Sequence, residues 1–223
     1  MNVTTPNHER VTSNLLTMYK RDDWLMRLNI NLYLRAMGIL SKPRDTKILD
    51  CGCGTGNIMK YLQRYGFTNL QGFDLAPEMV EAARINTGAE IKECSMQTMG
   101  QHYPEQSLDL LFCSGIFHHV PSLADWEKVF SAAYTMLRPG GEIIVREPYP
   151  NLGYNLLVFM TRFKIFYRGS LNELLTSLKE EEKELDYFFT NWPGRYRKLI
   201  TGQGFSIARD FNFMTHRITV CRK

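Results

Sequence analysis

Apolar residues near the start of the chain recur at helical spacing. Trp24, Leu28, Leu32, Ala36 and Leu40 stand every fourth residue and predict one apolar stripe of a helix that stops near Gly38 to Pro43. A shorter helix is expected before it, around Val11 to Tyr19. From Lys47 the period changes. Ile48-Leu49-Asp50 reads as a short strand entering a glycine loop, and Ile58 to Tyr65 as a helix closed by Gly66. Leu70 to Phe73 gives a second strand ending at Asp74, and Pro77 opens a helix that runs through Ile85 and closes at Gly88.

The unit then repeats. Ala89 to Cys94 is the third strand and Leu108 to Cys113 the fourth, a continuous apolar run of the kind buried on both faces. Ser122 caps a helix with Trp126, Val129, Phe130, Ala133 and Leu137 on one face. Pro139-Gly140-Gly141 ends that helix before a fifth strand, Glu142 to Val145. Pro148 to Thr190 interrupts the alternation with a largely helical, aromatic stretch; a helix resumes over Tyr196 to Thr201, and Phe205 to Phe211 and Arg217 to Cys221 close the chain as strands. Strands alternating with amphipathic helices predict an α/β fold, a doubly wound and mostly parallel sheet with ligands at the carboxyl ends of its strands. Pro148 to Thr190 is expected as a helical lid over that face, with the N-terminal helices at 8–40 as a further part of the cover.

Length and composition narrow this little. The 223 residues suit a single domain with an elaboration, and 44% hydrophobic with 22% charged residues is globular. A formal charge of +4 is too small and too scattered to mark a nucleic-acid binder. Met1 to Arg10 lacks the apolar core of a signal peptide, and no run is long enough for a membrane span. The five cysteines form no disulfide framework, which points to a reduced, cytoplasmic protein without stable membrane insertion.

The candidate chemistry starts at Asp50-Cys51-Gly52-Cys53-Gly54-Thr55-Gly56-Asn57, where a strand hands over to a helix and bare glycine backbone lets a ligand approach. Asp74, at the end of the next strand, is placed to accept hydrogen bonds from both hydroxyls of a ribose. A plain tight turn and a helix-capping aspartate are the structural alternatives. Two features separate the adenosine ligands. A dinucleotide fingerprint sets its third glycine one residue later than Gly56, and Asp50, aimed into the site, repels a pyrophosphate but attracts an ammonium or sulfonium. Both favour S-adenosylmethionine over NAD.

Together, Ile48-Leu49-Asp50-Cys51-Gly52-Cys53-Gly54-Thr55-Gly56, Gly72-Phe73-Asp74-Leu75-Ala76-Pro77-Glu78-Met79, Leu108-Asp109-Leu110-Leu111, Ile116-Phe117-His118-His119-Val120 and Leu137-Arg138-Pro139-Gly140-Gly141-Glu142 resemble the class I S-adenosylmethionine-dependent methyltransferases. The likeness is to the small-molecule branch around the ubiquinone and menaquinone methyltransferases, and it covers Lys47 to Glu147. It implies a Rossmann-like sheet of seven strands, mostly parallel with an antiparallel last strand. It also implies that Gly52, Gly54 and Gly56 line the methionyl part while Asp50 orients its amino group. Asp74 would hold the ribose, and Leu75 and Met79 would flank the adenine. Ser114 and Gly115 would pass beneath the ligand toward the acceptor. The aspartate that the family often sets near the adenine after strand three is replaced here by Cys94-Ser95-Met96, so Ser95 and Met96 are carried as substitutes.

Methyl transfer from a sulfonium is an in-line displacement on an activated carbon, so the protein must align the acceptor and exclude water. No metal is expected, since no paired carboxylates follow the fourth strand. His118 and His119 are the adjacent titratable pair in the expected cleft, either as proton acceptors for an O-acceptor or as structural histidines. The Asn/Asp-Pro-Pro-aromatic run of nucleic-acid methyltransferases is absent after strand four, so nucleic acid is not expected as a partner. Arg146, Arg162 and Arg168, with Tyr149, are the candidates for holding an acidic or aromatic small-molecule acceptor. The expected function is methyl transfer to a small metabolite, leaving S-adenosylhomocysteine. A dinucleotide-dependent oxidoreductase and a non-catalytic adenosylmethionine-binding subunit are the alternatives.

Overall fold

The computed structural model describes residues 24–120, 122–160 and 188–223. Helix α1 (Trp24–Met37) and a 3₁₀ turn (Ile39–Ser41) precede β1 (Ile48–Cys51), α2 (Asn57–Arg64), β2 (Leu70–Asp74), α3 (Pro77–Thr87) and β3 (Glu90–Glu93). Then follow β4 (Leu108–Ser114), α4 (Leu123–Met136), β5 (Leu137–Pro148), α5 (Leu152–Met160), α6 (Arg197–Gly202), β6 (Ser206–Phe213) and β7 (His216–Arg222). The strands form one sheet in the order β3-β2-β1-β4-β5-β7-β6. The first five pair in parallel, and β7 runs antiparallel to both β5 and β6. This is the doubly wound sheet that the alternation predicts. Its strand order reverses between β1 and β4, and the crevice at such a reversal is where open α/β sheets bind ligands.

Strand alternation sorts the core into two layers. On one face Leu49, Cys51, Leu111, Cys113 and Val145 pack under α4 through Trp126, Val129 and Phe130, joined by Phe188, Trp192 and Tyr196. On the other, Ile48, Leu110, Phe112, Ile144, Ile218 and Val220 lie under Tyr33, Met37, Met59, Leu62, Val80 and Ala83. Helix α4 begins where the sequence places it, with the Ser122 hydroxyl accepting from the Asp125 N–H at 3.1 Å.

Two expectations are corrected. The buried stripe of α1 is Tyr33, Leu34 and Met37, whereas Leu28 and Leu32 are 49% and 39% exposed. The helix is apolar around most of its circumference, so spacing alone does not choose the face. Pro139-Gly140-Gly141 does not separate α4 from β5. The strand starts directly at Leu137, which pairs with Leu108, and a register shift at Leu108/Leu110 absorbs the irregular residues. The Gly140 N–H donates to the Lys223 carbonyl and the Lys223 N–H to the Gly141 carbonyl, so the chain end supplies partners that a turn would have supplied. Separately, a π-helical turn (Trp192–Tyr196) precedes α6, with Trp192 and Tyr196 stacked at 3.8 Å between centroids. The expected helix at Val11 to Tyr19 and most of the expected lid, residues 161–187, lie outside the described residues.

Candidate active site

The glycine loop leaves β1 at Cys51 and enters α2 at Asn57. It is tied to β2 by the Cys53 N–H on the Phe73 carbonyl (2.9 Å) and closed on itself by the Gly56 N–H on the Cys53 carbonyl (2.9 Å). Asp74 is the keystone: Oδ2 accepts the Gly54 N–H at 2.8 Å and Oδ1 accepts the Ala76 N–H at 3.0 Å. One carboxylate therefore fixes both the loop and the start of α3, and each oxygen keeps a lone pair for another donor. Gly52 and Gly54 have φ of +66° and +53°. A Cβ on Gly52 would sit 2.0 Å from Ile116 Cδ1, while a Cβ on Gly54 would meet nothing within 4 Å. The loop thus has one glycine required by packing and another that leaves open space beside Asp74.

Asp50 stands on β1 just before the loop. It is 3% exposed, and its Oδ2 makes no hydrogen bond among the described residues. Burial, with the nearby Asp74 charge, pushes its carboxyl up to about 7. A buried carboxylate of this kind is costly unless a cation joins it. The residues thus fit the amino-acid end of S-adenosylmethionine, whose ammonium would supply a donor and a compensating charge.

At the end of β4, Ser114 Oγ accepts from Arg146 Nη1 at 2.6 Å, and the Gly115 N–H donates to the Arg146 carbonyl at 2.9 Å. The loop after it is a 3₁₀ turn (Phe117–His119) held by Glu147, a wholly buried residue of β5. Glu147 Oε1 accepts from the Ile116 and Phe117 N–H groups at 2.8 and 2.9 Å, and Oε2 lies 2.7 Å from His118 Nδ1. His118 is buried and His119 exposed, with ring centroids 4.0 Å apart. On the opposite face, Arg146 Cζ sits 4.0 Å over the Tyr33 ring, and the Tyr33 hydroxyl lies 2.8 Å from His216 Nδ1.

The structure thus gathers Asp50, Gly52, Gly54, Gly56, Asp74, Ser114, Gly115, His118, His119 and Arg146 at one edge of the sheet. Leu75 is 63% exposed next to Asp74; Met79 is buried on α3. Ser95 Oγ is 3.1 Å from Thr98 Oγ1, whereas the Met96 side chain is buried in the core layer under α4. Tyr149 lies beyond β5 with Arg217 Cζ 5.0 Å over its ring. Arg162 and Arg168 lie outside the described residues. Sequence reading missed Glu147, Tyr33 and His216. Glu147 followed the apolar run of β5 without an evident partner, Tyr33 fell one position off the expected stripe, and His216 lay between two predicted strands. An acid two residues past the apolar run Ile143-Ile144-Val145 was the available signal.

Residues 49–145 match the family described as a methyltransferase domain. A demethylmenaquinone methyltransferase of Thermus thermophilus is 25% identical over 184 residues, 79% of this chain and 81% of that protein. A ubiquinone biosynthesis O-methyltransferase of Xanthomonas axonopodis pv. citri is 30% identical over 47% of this chain and 44% of that one. The chain thus spans about four fifths of the first relative and under half of the second. Among solved structures, a SAM dependent methyltransferase from Aquifex aeolicus superposes with a TM-score of 0.61 at 16% identity, over 93% of this chain and 97% of that one. That likeness concerns the fold.

Proposed function

We propose that the chain is a class I S-adenosylmethionine-dependent methyltransferase that transfers a methyl group to a hydroxyl oxygen of a small metabolite, by in-line displacement and without a metal. S-adenosylmethionine is the cofactor, and the dinucleotide alternative gives way to it. The observation that carries the site assignment is the buried Asp50 carboxylate whose Oδ2 has no hydrogen-bond donor among the described residues, at the end of β1 where the glycine loop begins.

In this reading Asp50 takes the ammonium, and Gly52, Gly54 and Gly56 lie along the methionyl part. Asp74 accepts from the ribose hydroxyls with the lone pairs that Gly54 and Ala76 leave over. Leu75 and Met79 flank the adenine, with Ser95 at its rim and Met96 behind it in the core layer. Bound S-adenosylmethionine supplies a methyl group already activated on a sulfonium. What remains for the chain is to orient the acceptor and take its proton. Burial supports reading the two histidines apart. His118, buried against Glu147, fixes the turn; His119, exposed on that turn, accepts the hydroxyl proton. Arg146 and Tyr149 orient the acceptor. Arg162 and Arg168 belong to the same reading.

We also read residues 1–223 as one domain with a helical cover at 8–40 and 148–190, working in the cytoplasm with neither nucleic acid nor membrane as partner. Free, buried Cys51, Cys53, Cys94, Cys113 and Cys221 support the reduced compartment. No helix among the described residues is long and apolar enough to cross a membrane. The test is transfer of labelled methyl from S-adenosylmethionine to a panel of hydroxy- and amino-acceptors in the presence of a chelator. Label appearing as an O-methyl ether at an undiminished rate is expected. An N-methyl product, or activity lost to the chelator and restored by magnesium, overturns this reading.

A further inference from the structure

A second polar constellation sits where β5 ends and β7 begins. Arg146 shares a face of the sheet with Ile144, and His216 with Ile218, the face that α1 covers. Tyr33 joins them: the guanidinium lies 4.0 Å over its ring, its hydroxyl 2.8 Å from His216 Nδ1, and the Tyr33 and His216 rings meet edge to face at 5.1 Å. Ser114 stands opposite Arg146 in register and accepts its Nη1 at 2.6 Å. Two of the three polar groups are thereby oriented as donors. The Ser114 oxygen is used by Arg146, which leaves its hydroxyl proton for another acceptor. When the Tyr33 phenol donates to Nδ1, the neutral His216 ring carries its proton on Nε2, which makes no hydrogen bond among the described residues. Each of the three side chains is only half-buried.

We infer that Arg146, Ser114 and His216, bridged by Tyr33, form a carboxylate-binding subsite. A planar guanidinium flanked by two neutral donors matches a two-oxygen anion better than a phosphate or a neutral hydroxyl. The inference rests on the methyltransferase reading, because that reading brings two carboxylates to this edge: that of the cofactor's methionyl end and that of an acidic acceptor. Asp50 pairs in register with Phe112, two residues before Ser114, so an ammonium at Asp50 and a carboxylate at Arg146 are neighbours on one face.

The charges around His216 give the subsite a signature. Arg146 faces it from β5, His118 from the turn after β4 and the Tyr33 phenol from α1. Burial, Arg146 and His118 hold its imidazole well below the usual histidine range, so it is neutral at pH 7. An arriving carboxylate opposes the Arg146 charge, and His216 takes up a proton as the anion binds.

The experiment follows the His216 imidazole by NMR and measures binding by calorimetry in the wild type, Arg146→Met, Arg146→Lys and His216→Gln. Three probes are used: S-adenosylhomocysteine; 5′-methylthioadenosine, which lacks the amino-acid end; and 3,4-dihydroxybenzoate added to the S-adenosylhomocysteine complex. If the cofactor supplies the carboxylate, S-adenosylhomocysteine raises the His216 pKa. Arg146→Met then weakens that probe at least tenfold and 5′-methylthioadenosine less than twofold. If the acceptor supplies it, both nucleosides bind the variants as they bind the wild type, and 3,4-dihydroxybenzoate raises the His216 pKa and binds Arg146→Met at least tenfold more weakly. Arg146→Lys, which keeps the charge and loses the fork, falls between in either case. The subsite is overturned if every variant binds all three probes as the wild type does and none moves the His216 pKa. Failure of the wild type to bind either nucleoside is a different result; it strikes the methyltransferase reading itself and takes this subsite with it.

Discussion

Glu147 and His118 are joined through Oε2 and Nδ1 at 2.7 Å, and the other carboxylate oxygen of Glu147 takes two successive backbone N–H groups. One buried side chain from β5 therefore sets the conformation of the turn that carries both histidines. Two backbone N–H groups and one imidazole nitrogen thus converge on a single carboxyl group.

Removing that acceptor strands one buried and one part-buried N–H group and an imidazole. Glu147→Ala is expected to destabilise the fold by about 3–5 kcal/mol, measured by urea unfolding. Glu147→Gln keeps the volume and one oxygen, so it should fold and lose activity through kcat rather than acceptor KM. His119→Gln should lower kcat about 100-fold with stability unchanged, whereas His118→Asn should lower stability and kcat together. Equal effects of the two histidine variants on stability would contradict the division of roles.

Asp50 makes a prediction whose sign follows from its raised value. Between about pH 4 and 7 the folded state retains a proton that the unfolded chain has lost, so stability falls as pH rises through that window and levels off above it. Asp50→Asn removes the effect. The ligand-free variant should be more stable than the wild type at pH 8, by about 2–4 kcal/mol, and should gain much less at pH 4. The same substitution should weaken S-adenosylhomocysteine at least tenfold. A variant that is less stable at pH 8 would mean that Asp50 has a donor in the ligand-free protein.

The glycines at 52 and 54 should separate packing from binding. Gly54→Ala adds a side chain where nothing lies within 4 Å, at a φ of +53° that costs about 1–2 kcal/mol in backbone strain. It should fold and bind S-adenosylhomocysteine at least tenfold more weakly. Gly52→Ala collides with Ile116 Cδ1 and should lose more stability, part of which Ile116→Ala restores. Thermal denaturation of the single and double variants tests the coupling.

Much of this was legible in the sequence because it is local. The handover from Asp50 through Gly52, Gly54 and Gly56, the Pro77 start and the Ser122 cap are each written in adjacent residues, so strand–loop–helix units and their ligand edge can be read from them. Register across the sheet is different. Nothing near Glu147 announces that its oxygens meet Ile116, Phe117 and His118, some thirty residues earlier. Nothing near Tyr33 announces His216, 183 residues away. The irregular start of β5 was hidden for the same reason, since the partners of Gly140 and Gly141 come from the chain end. Long-range pairing also decided which face of α1 is buried.

Calorimetric titration of the purified chain with S-adenosylhomocysteine, with NAD as the control, bears most directly on the cofactor site. Saturable binding of S-adenosylhomocysteine is predicted, with no heat from NAD and a loss of at least 30-fold in affinity, about 2 kcal/mol, in Asp74→Ala. A chain that ignores S-adenosylhomocysteine, prefers NAD, or binds equally well without the Asp74 carboxylate would contradict the account of Asp50, the glycine loop and Asp74 as one ligand site.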